Sequence, residues 1–245
     1  MKKLFLLCVM GLAASSLFAQ TTDPLVLKNE GSKAFNSKNY PVAYAKYSQY
    51  LKQTNNQDSV TAYFCGMAAS SLKKYNEAVT YYDVAIQKNY NAGNAYARKA
   101  LALKALKKQD EYLKTLEDGL AVDPNNKTLV KSFGLHYLKA GIMAQKANDD
   151  AKAKECYKKV STLSDKKMKT DALYSLGILC YNNGASILKK AAPLANSDAD
   201  KYAAEKALAD GEFKEALGYL EEAVTLSPER TEVKTILSQV QAAMK

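Results

Sequence analysis

Residues 29–50, NEGSKAFNSKNYPVAYAKYSQY, and residues 64–85, FCGMAASSLKKYNEAVTYYDVA, decide the fold. Shifted by 35 residues, the first lies on the second with Gly31 over Gly66, Tyr40 over Tyr75, Ala43 over Ala78 and Tyr47 over Tyr82. Each half of each copy carries apolar residues at i, i+3 and i+4 over about 14 residues, enough for one amphipathic helix. Two such helices joined by a short turn make a helical hairpin. Where they cross closely they need small residues, and Gly31, Gly66, Ala43 and Ala78 supply them. A self-similar period of this length signals a stacked repeat architecture rather than a single bundle.

The pattern extends in both directions. A third copy runs through Tyr96, Ala100, Leu103, Tyr112, Leu116 and Gly119 and closes on Asp123-Pro124, with Ala100 in the place of the glycine and Tyr112 in that of the central alanine. A fourth holds Phe133-Gly134, Tyr137, Ala153, Tyr157 and Val160, with seven residues more between Gly134 and Ala153 than the first two copies have. These are expected to lengthen the helices around 141–149. A fifth opens at Tyr174, Leu176-Gly177 and Cys180, with a second helix expected over 185–196. A sixth has Tyr202, Ala204 and Ala207, a turn at Gly211-Glu212-Phe213, then Ala216, Leu220, Ala223 and Pro228. Residues 229–245 read as a final amphipathic helix, with Val233, Ile236, Leu237 and Val240 on one face; a stack needs such a cap because its last unit otherwise exposes an apolar side.

These residues resemble the tetratricopeptide repeat (TPR) family, in which Leu-Gly lies mid-way along a first helix, Ala-aromatic-Ala along a second, and Pro closes the unit. The resemblance covers nearly all of 24–245. It implies an all-α superhelix of antiparallel hairpins with a C-terminal capping helix, in units of about 24–57, 58–91, 92–126, 127–167, 168–197 and 198–228, with the cap at 229–245. It also implies that the first helix of each hairpin lines a concave groove that takes a peptide or a helix. In that register the groove candidates are Lys28, Ser32, Tyr63, Met67, Arg98, Lys104, Lys131, Tyr174 and Ile178. Tyr44, Tyr47, Tyr50, Tyr81 and Tyr82 fall on second helices and read as packing. Some members grip a chaperone's C-terminal carboxylate with a Lys–Asn–Asn–Lys–Arg clamp. The matching places hold Lys28, Ser32, Phe64, Asn94 and Arg98, so both asparagines and the second lysine of that clamp are missing.

The amino terminus has its own signature. Lys2-Lys3, the apolar run from Leu4 to Leu12, small residues at 13–16 and Ala19-Gln20 form the three-part pattern of a secretory signal peptide over 1–19, cut after Ala19. The layout resembles exported repeat proteins of Gram-negative bacteria of the Bacteroidetes kind, which implies a periplasmic or secreted protein. The apolar run is too short to span a bilayer comfortably. Cys8 lies inside it, too early for lipid attachment. Cys65, Cys156 and Cys180 have no CxxC spacing and an odd count, which reads as buried free thiols rather than a disulfide framework.

Charge and motifs narrow the function. The formal charge is +10, and without Lys2 and Lys3 it is +8, from 33 basic and 25 acidic residues. Only Arg98 and Arg230 are arginines, and the lysines are dispersed, so a nucleic-acid partner is not expected. Phosphate-binding glycine loops, HExxH, GxSxG and EF-hand patterns are all missing. His136 is the only histidine, which excludes a multi-histidine metal site. Adjacent carboxylates such as Glu117-Asp118 do not face one another on a helix. The reading is a non-enzymatic scaffold of the cell envelope without cofactor or metal, holding a protein or peptide partner in its groove. The alternative is a module for peptidoglycan or another polysaccharide, with tyrosines stacked on sugar rings.

Overall fold

A computed structural model of the chain describes residues 22–245; the signal peptide expected over 1–19, with Cys8, lies outside the described residues. The order is α1 (Pro24–Asn36), α2 (Tyr40–Gln53), α3 (Ser59–Ser71), α4 (Tyr75–Gln87), α5 (Ala92–Ala105), α6 (Gln109–Val122), α7 (Lys127–Lys146), α8 (Asp150–Ser161), α9 (Lys166–Ala191), a 3-10 turn (Ala192–Ala195), α10 (Ala199–Leu226) and α11 (Thr231–Ala243). There is no β-strand among the described residues. Successive helices pair as α1–α2, α3–α4, α5–α6, α7–α8 and α9–α10, and α11 closes the stack on α10 and α9. The protein is thus an all-α solenoid of antiparallel hairpins with a capping helix.

Local chemistry sets the helix ends. Asp23, Asn39, Asp58, Asn126, Asp149, Asp165 and Asp198 each accept a backbone N–H from the first turn of the helix that follows. Pro24 and Pro41 sit in first turns, where the missing N–H costs nothing. The first four hairpins share one tight turn. Lys38, Lys73, Lys107 and Asn148 each adopt a left-handed backbone, with φ of 58, 60, 60 and 57°. The next residue's N–H then reaches back to the first helix: Asn39 to Ala34 O, Lys74 to Ala69 O, Lys108 to Leu103 O and Asp149 to Ala144 O, at 2.8–3.0 Å. That closure satisfies a carbonyl the helix end would otherwise orphan.

Inside each hairpin a small residue on the first helix meets a large one on the second. A Cβ at Gly31 would lie 2.6 Å from the Tyr47 ring, and one at Gly66 would lie 2.8 Å from the Tyr82 ring. Tyr82 and Tyr157 are among the largest fully buried side chains, and Ala43, Ala78 and Ala153 are fully buried one turn before Tyr47, Tyr82 and Tyr157. In the third hairpin both partners change together: buried Ala100 stands for the glycine, buried Leu116 for the aromatic ring, and Tyr112 for the alanine.

Two expectations need correction. The seven extra residues of the fourth unit do not lie between the crossing glycine and Ala153. The glycine against Tyr157 is Gly141, twelve residues before Ala153 as in the first two hairpins, and its Cβ would lie 2.5 Å from that ring. The added length sits at the start of α7, which has 20 residues against 13 in α1. There Gly134 is covered by Leu163 from the α8–α9 turn and by Met168 of α9. The second correction concerns 168–197 and 198–228, expected as two units. They form one hairpin. No second helix starts at 185, because α9 continues to Ala191. No turn occurs at Gly211, which lies inside α10 with nothing within 4 Å of its Cβ position. Each helix of this hairpin is twice as long as its counterpart in the first, 26 residues against 13 and 28 against 14. It crosses twice, Gly177 on Leu220 and Gly184 on Phe213.

Candidate functional site

The first helices of successive hairpins touch directly, α1 on α3, α3 on α5 and α5 on α7. Successive second helices meet mainly through the first helix between them, α2 on α3, α4 on α5, α6 on α7 and α8 on α9. Elements on the inside of a curve approach more closely, so the first helices form the concave lining.

The candidate residues divide there into two groups. Several are tied into joints between hairpins. The Lys28 ammonium lies 2.6 Å from Asp58 Oδ2. The same carboxylate accepts the Tyr50 and Thr61 hydroxyls at 3.0 and 2.9 Å, and Asp58 Oδ1 caps α3 through the Thr61 N–H at 2.9 Å. Burial alone would raise the Asp58 pKa; the Lys28 ammonium, the Thr61 N–H and the two hydroxyls outweigh it and hold it at about 2. Ser32 accepts the Tyr47 hydroxyl at 3.2 Å. Tyr63 is only 5% exposed and packs edge-on to Phe64, Tyr82 and Tyr90. Tyr174 is half-buried under the Arg230 guanidinium, 5.5 Å from its ring, and Arg230 is itself 2.6 Å from Asp171. Met67 packs half-buried on the core of the second hairpin, and Ile178 is half-buried on α9.

The other group reaches solvent. Arg98, Lys104 and Lys131 are exposed. Arg98 donates its Nε–H to the Tyr63 hydroxyl at 2.9 Å, which holds the guanidinium in place. Lys104 lies 5.8 Å from the Tyr112 ring. Beside them are residues that the sequence reading passed over. Leu101 is 48% exposed, Leu135 53%, Ile142 47% and Met143 61%, all on the open stripes of α5 and α7, with exposed Lys139 between the last three. A signal for two of them existed. The residues that follow Gly31, Gly66, Ala100, Gly134 and Gly177 are Ser32, Met67, Leu101, Leu135 and Ile178, and the groove candidates held the first, second and fifth.

His136 is half-buried and edge-on to Tyr137, with ring centroids 5.0 Å apart. Burial first, then the ammonium groups of Lys104 and Lys159, push its pKa down. Among the described residues no three His, Cys, Asp or Glu side chains gather where they could hold a metal ion, and no helix is long and apolar enough to cross a membrane. Cys65, Cys156 and Cys180 are free and buried. Burial pushes the Cys65 and Cys180 thiols up to about 12. Because the thiolate is the reactive form, neither thiol should be alkylated by iodoacetamide at pH 8 within an hour in the native protein, and both should react at once in guanidinium. Fast native labelling of either, read by intact mass, would contradict this burial.

No family model matches the sequence. The chain is similar to a crystallised TPR repeats protein of Bacteroides fragilis, with 56% identity over 91% of this chain and 99% of that one, at a TM-score of 0.79. The chain belongs to the tetratricopeptide repeat family. A 101-residue part of this TPR protein is also 36% identical to human sperm-associated antigen 1; that is 40% of this chain, which spans about a tenth of the curated relative's length. The first TPR domain of Spaghetti, solved with the Hsp90 peptide SRMEEVD, is 28% identical over 46% of this chain and 88% of that one, at a TM-score of 0.40. As a TPR protein, the chain has the general role of that fold, a scaffold for protein–protein contacts.

Proposed function

We propose that the protein works in the cell envelope, exported by the segment at 1–19, and holds an extended or helical segment of a partner protein in its concave groove. The observation that carries this reading is the strip on α5 and α7, where four large apolar side chains stay open to solvent on two neighbouring groove-lining helices. Elsewhere the same helices bury Ala97, Leu103, Leu129 and Phe133. Apolar groups left out of such a core on a concave face suit a partner's side chains.

The reading is tested by crosslinking and affinity capture from native envelopes, comparing the wild-type chain with Leu101→Ser/Leu135→Ser. Both changes are on the surface and leave the buried faces of α5 and α7 intact. A protein captured by the wild type and lost by the variant is the expected result. Equal capture by both would move the site off this face. The polysaccharide reading needs exposed rings for stacking. All seventeen tyrosines are buried or half-buried, so the groove offers sugars little open aromatic surface.

A further inference from the structure

The charges of this protein look scattered along the sequence but are sorted in the fold. The five first helices together carry fourteen basic and two acidic residues. The five second helices carry ten basic and fifteen acidic. The division is sharpest at the open strip: α5 and α7 hold seven lysines and arginines and no acid. On second helices the cations mostly have acidic neighbours, as Lys46 has Glu30, Lys154 has Glu215 and Lys159 has Glu117. Arg98, Lys104, Lys131 and Lys139 have none within ion-pair distance among the described residues. Along α7 the open stripe reads Lys131, Leu135, Lys139, Ile142, cations alternating with apolar groups at helical spacing.

From this we infer that the groove at α5 and α7 recognises an acidic, leucine-type protein segment: carboxylates for the Arg98, Lys131 and Lys139 charges, and aliphatic side chains for Leu101 and Leu135. The inference rests on the groove reading above and adds the chemistry of the occupant. Unpaired like charges on a concave face focus a positive potential and draw in an anionic partner. The apolar groups between them give a carboxylate-bearing peptide contacts that a purely anionic polymer cannot use. Arg98 is held by Tyr63 before any partner arrives, so less freedom is lost when a carboxylate is gripped. This site shares Arg98 with the chaperone-tail clamp but not the rest of it. Of the clamp positions, Lys28 is committed to Asp58, Ser32 to Tyr47, and Phe64 packs on Phe35 and Tyr63.

The test is a random peptide library panned on the full chain, followed by fluorescence anisotropy of the enriched peptides. Peptides rich in Asp and Glu with interspersed Leu or Ile are expected. Their affinity should fall at least tenfold with Lys131→Glu/Lys139→Glu, and should weaken markedly as salt is raised from 50 to 300 mM. Lys131→Gln/Lys139→Gln, which adds no repulsion, should fall in between, and circular dichroism should show both variants folded. Neutral or basic peptides that lose binding in Leu101→Ser/Leu135→Ser would overturn the acidic inference and leave the groove reading standing. Recovery of no peptide, or of peptides indifferent to both pairs of changes, would overturn both. Polygalacturonate displacing the peptides at a lower concentration of acidic groups would also overturn it, in favour of an acidic polysaccharide.

Discussion

Tyr82→Ala is expected to cost the second hairpin about 3–5 kcal/mol, the range for removing a buried aromatic ring. The ring is fully buried against Gly66, and its hydroxyl lies 3.0 Å from Ser70 Oγ. The loss should stay local in character. In a stack each unit touches only its neighbours, so stability is close to a sum of unit and interface contributions. Denaturant unfolding followed by hydrogen exchange should show α1–α4 losing protection at lower denaturant than α7–α10, where the wild type unfolds over a narrower range. A single transition at the wild-type midpoint would refute it. The third hairpin indicates a rescue, since Ala100 and Leu116 occupy the equivalent places there. Gly66→Ala/Tyr82→Leu copies that pair and should recover a good part of the loss.

Asp58→Ala should destabilise the protein by roughly 2–3 kcal/mol, from a lost helix cap and lost hydrogen bonds to a charged group. One carboxylate joins α1, α2 and α3, through Lys28, Tyr50 and Thr61, and its side chain is 15% exposed. The pH dependence has a fixed sign. The folded-state pKa, about 2, lies below the unfolded value near 4, so the folded state holds the proton more weakly. The stabilisation is therefore complete above about pH 4 and disappears as pH falls towards 2. Asp58→Asn keeps an acceptor for the cap but no charge. Its melting temperature should trail the wild type at pH 6, and the gap should close between pH 4 and pH 2. A gap of constant size across that range would mean that the Lys28 ion pair contributes nothing.

The first three hairpins were legible in the sequence because their period is nearly constant and each turn interrupts the helical pattern. The fourth and fifth were misread for a physical reason. Gly134 and Gly141 are seven residues apart, as are Gly177 and Gly184, and seven residues bring a helix back to almost the same face. Either glycine of a pair can therefore pass for the crossing point. Only the twelve-residue spacing to Ala153 selects Gly141. Gly211-Glu212-Phe213 precedes Ala216 as the turns with Tyr40 and Tyr75 precede Ala43 and Ala78, yet the helix around it has packing enough from Ala209, Phe213 and Ala216 to run through. The site was half legible. Register placed Arg98, Lys104 and Lys131 on open first-helix positions. It could not show that Lys28 is engaged by an aspartate thirty residues on, nor that Leu101 and Leu135 stay uncovered, because both depend on the neighbouring hairpin. The charge sorting was hidden for the same reason: the one-sided placement of the acidic residues shows only when alternate helices are assigned to opposite faces.

The lengthened helices have a consequence for how this chain can change. The first helix of the fourth hairpin is longer than α1 by seven residues, and those of the fifth by thirteen and fourteen over α1 and α2. These are close to two and four whole turns at 3.6 residues per turn. Growth in such quanta preserves the phase of the buried stripe, so each hairpin can be drawn out sideways while its joints to the next remain where they were. An insertion of three or five residues in α9 would instead rotate everything beyond it, carrying Gly184 off the Phe213 ring and turning the outer apolar positions to water. The solenoid thus has two independent dimensions: the number of hairpins sets how long the groove is, and the number of paired turns in each sets how far its wall stands out.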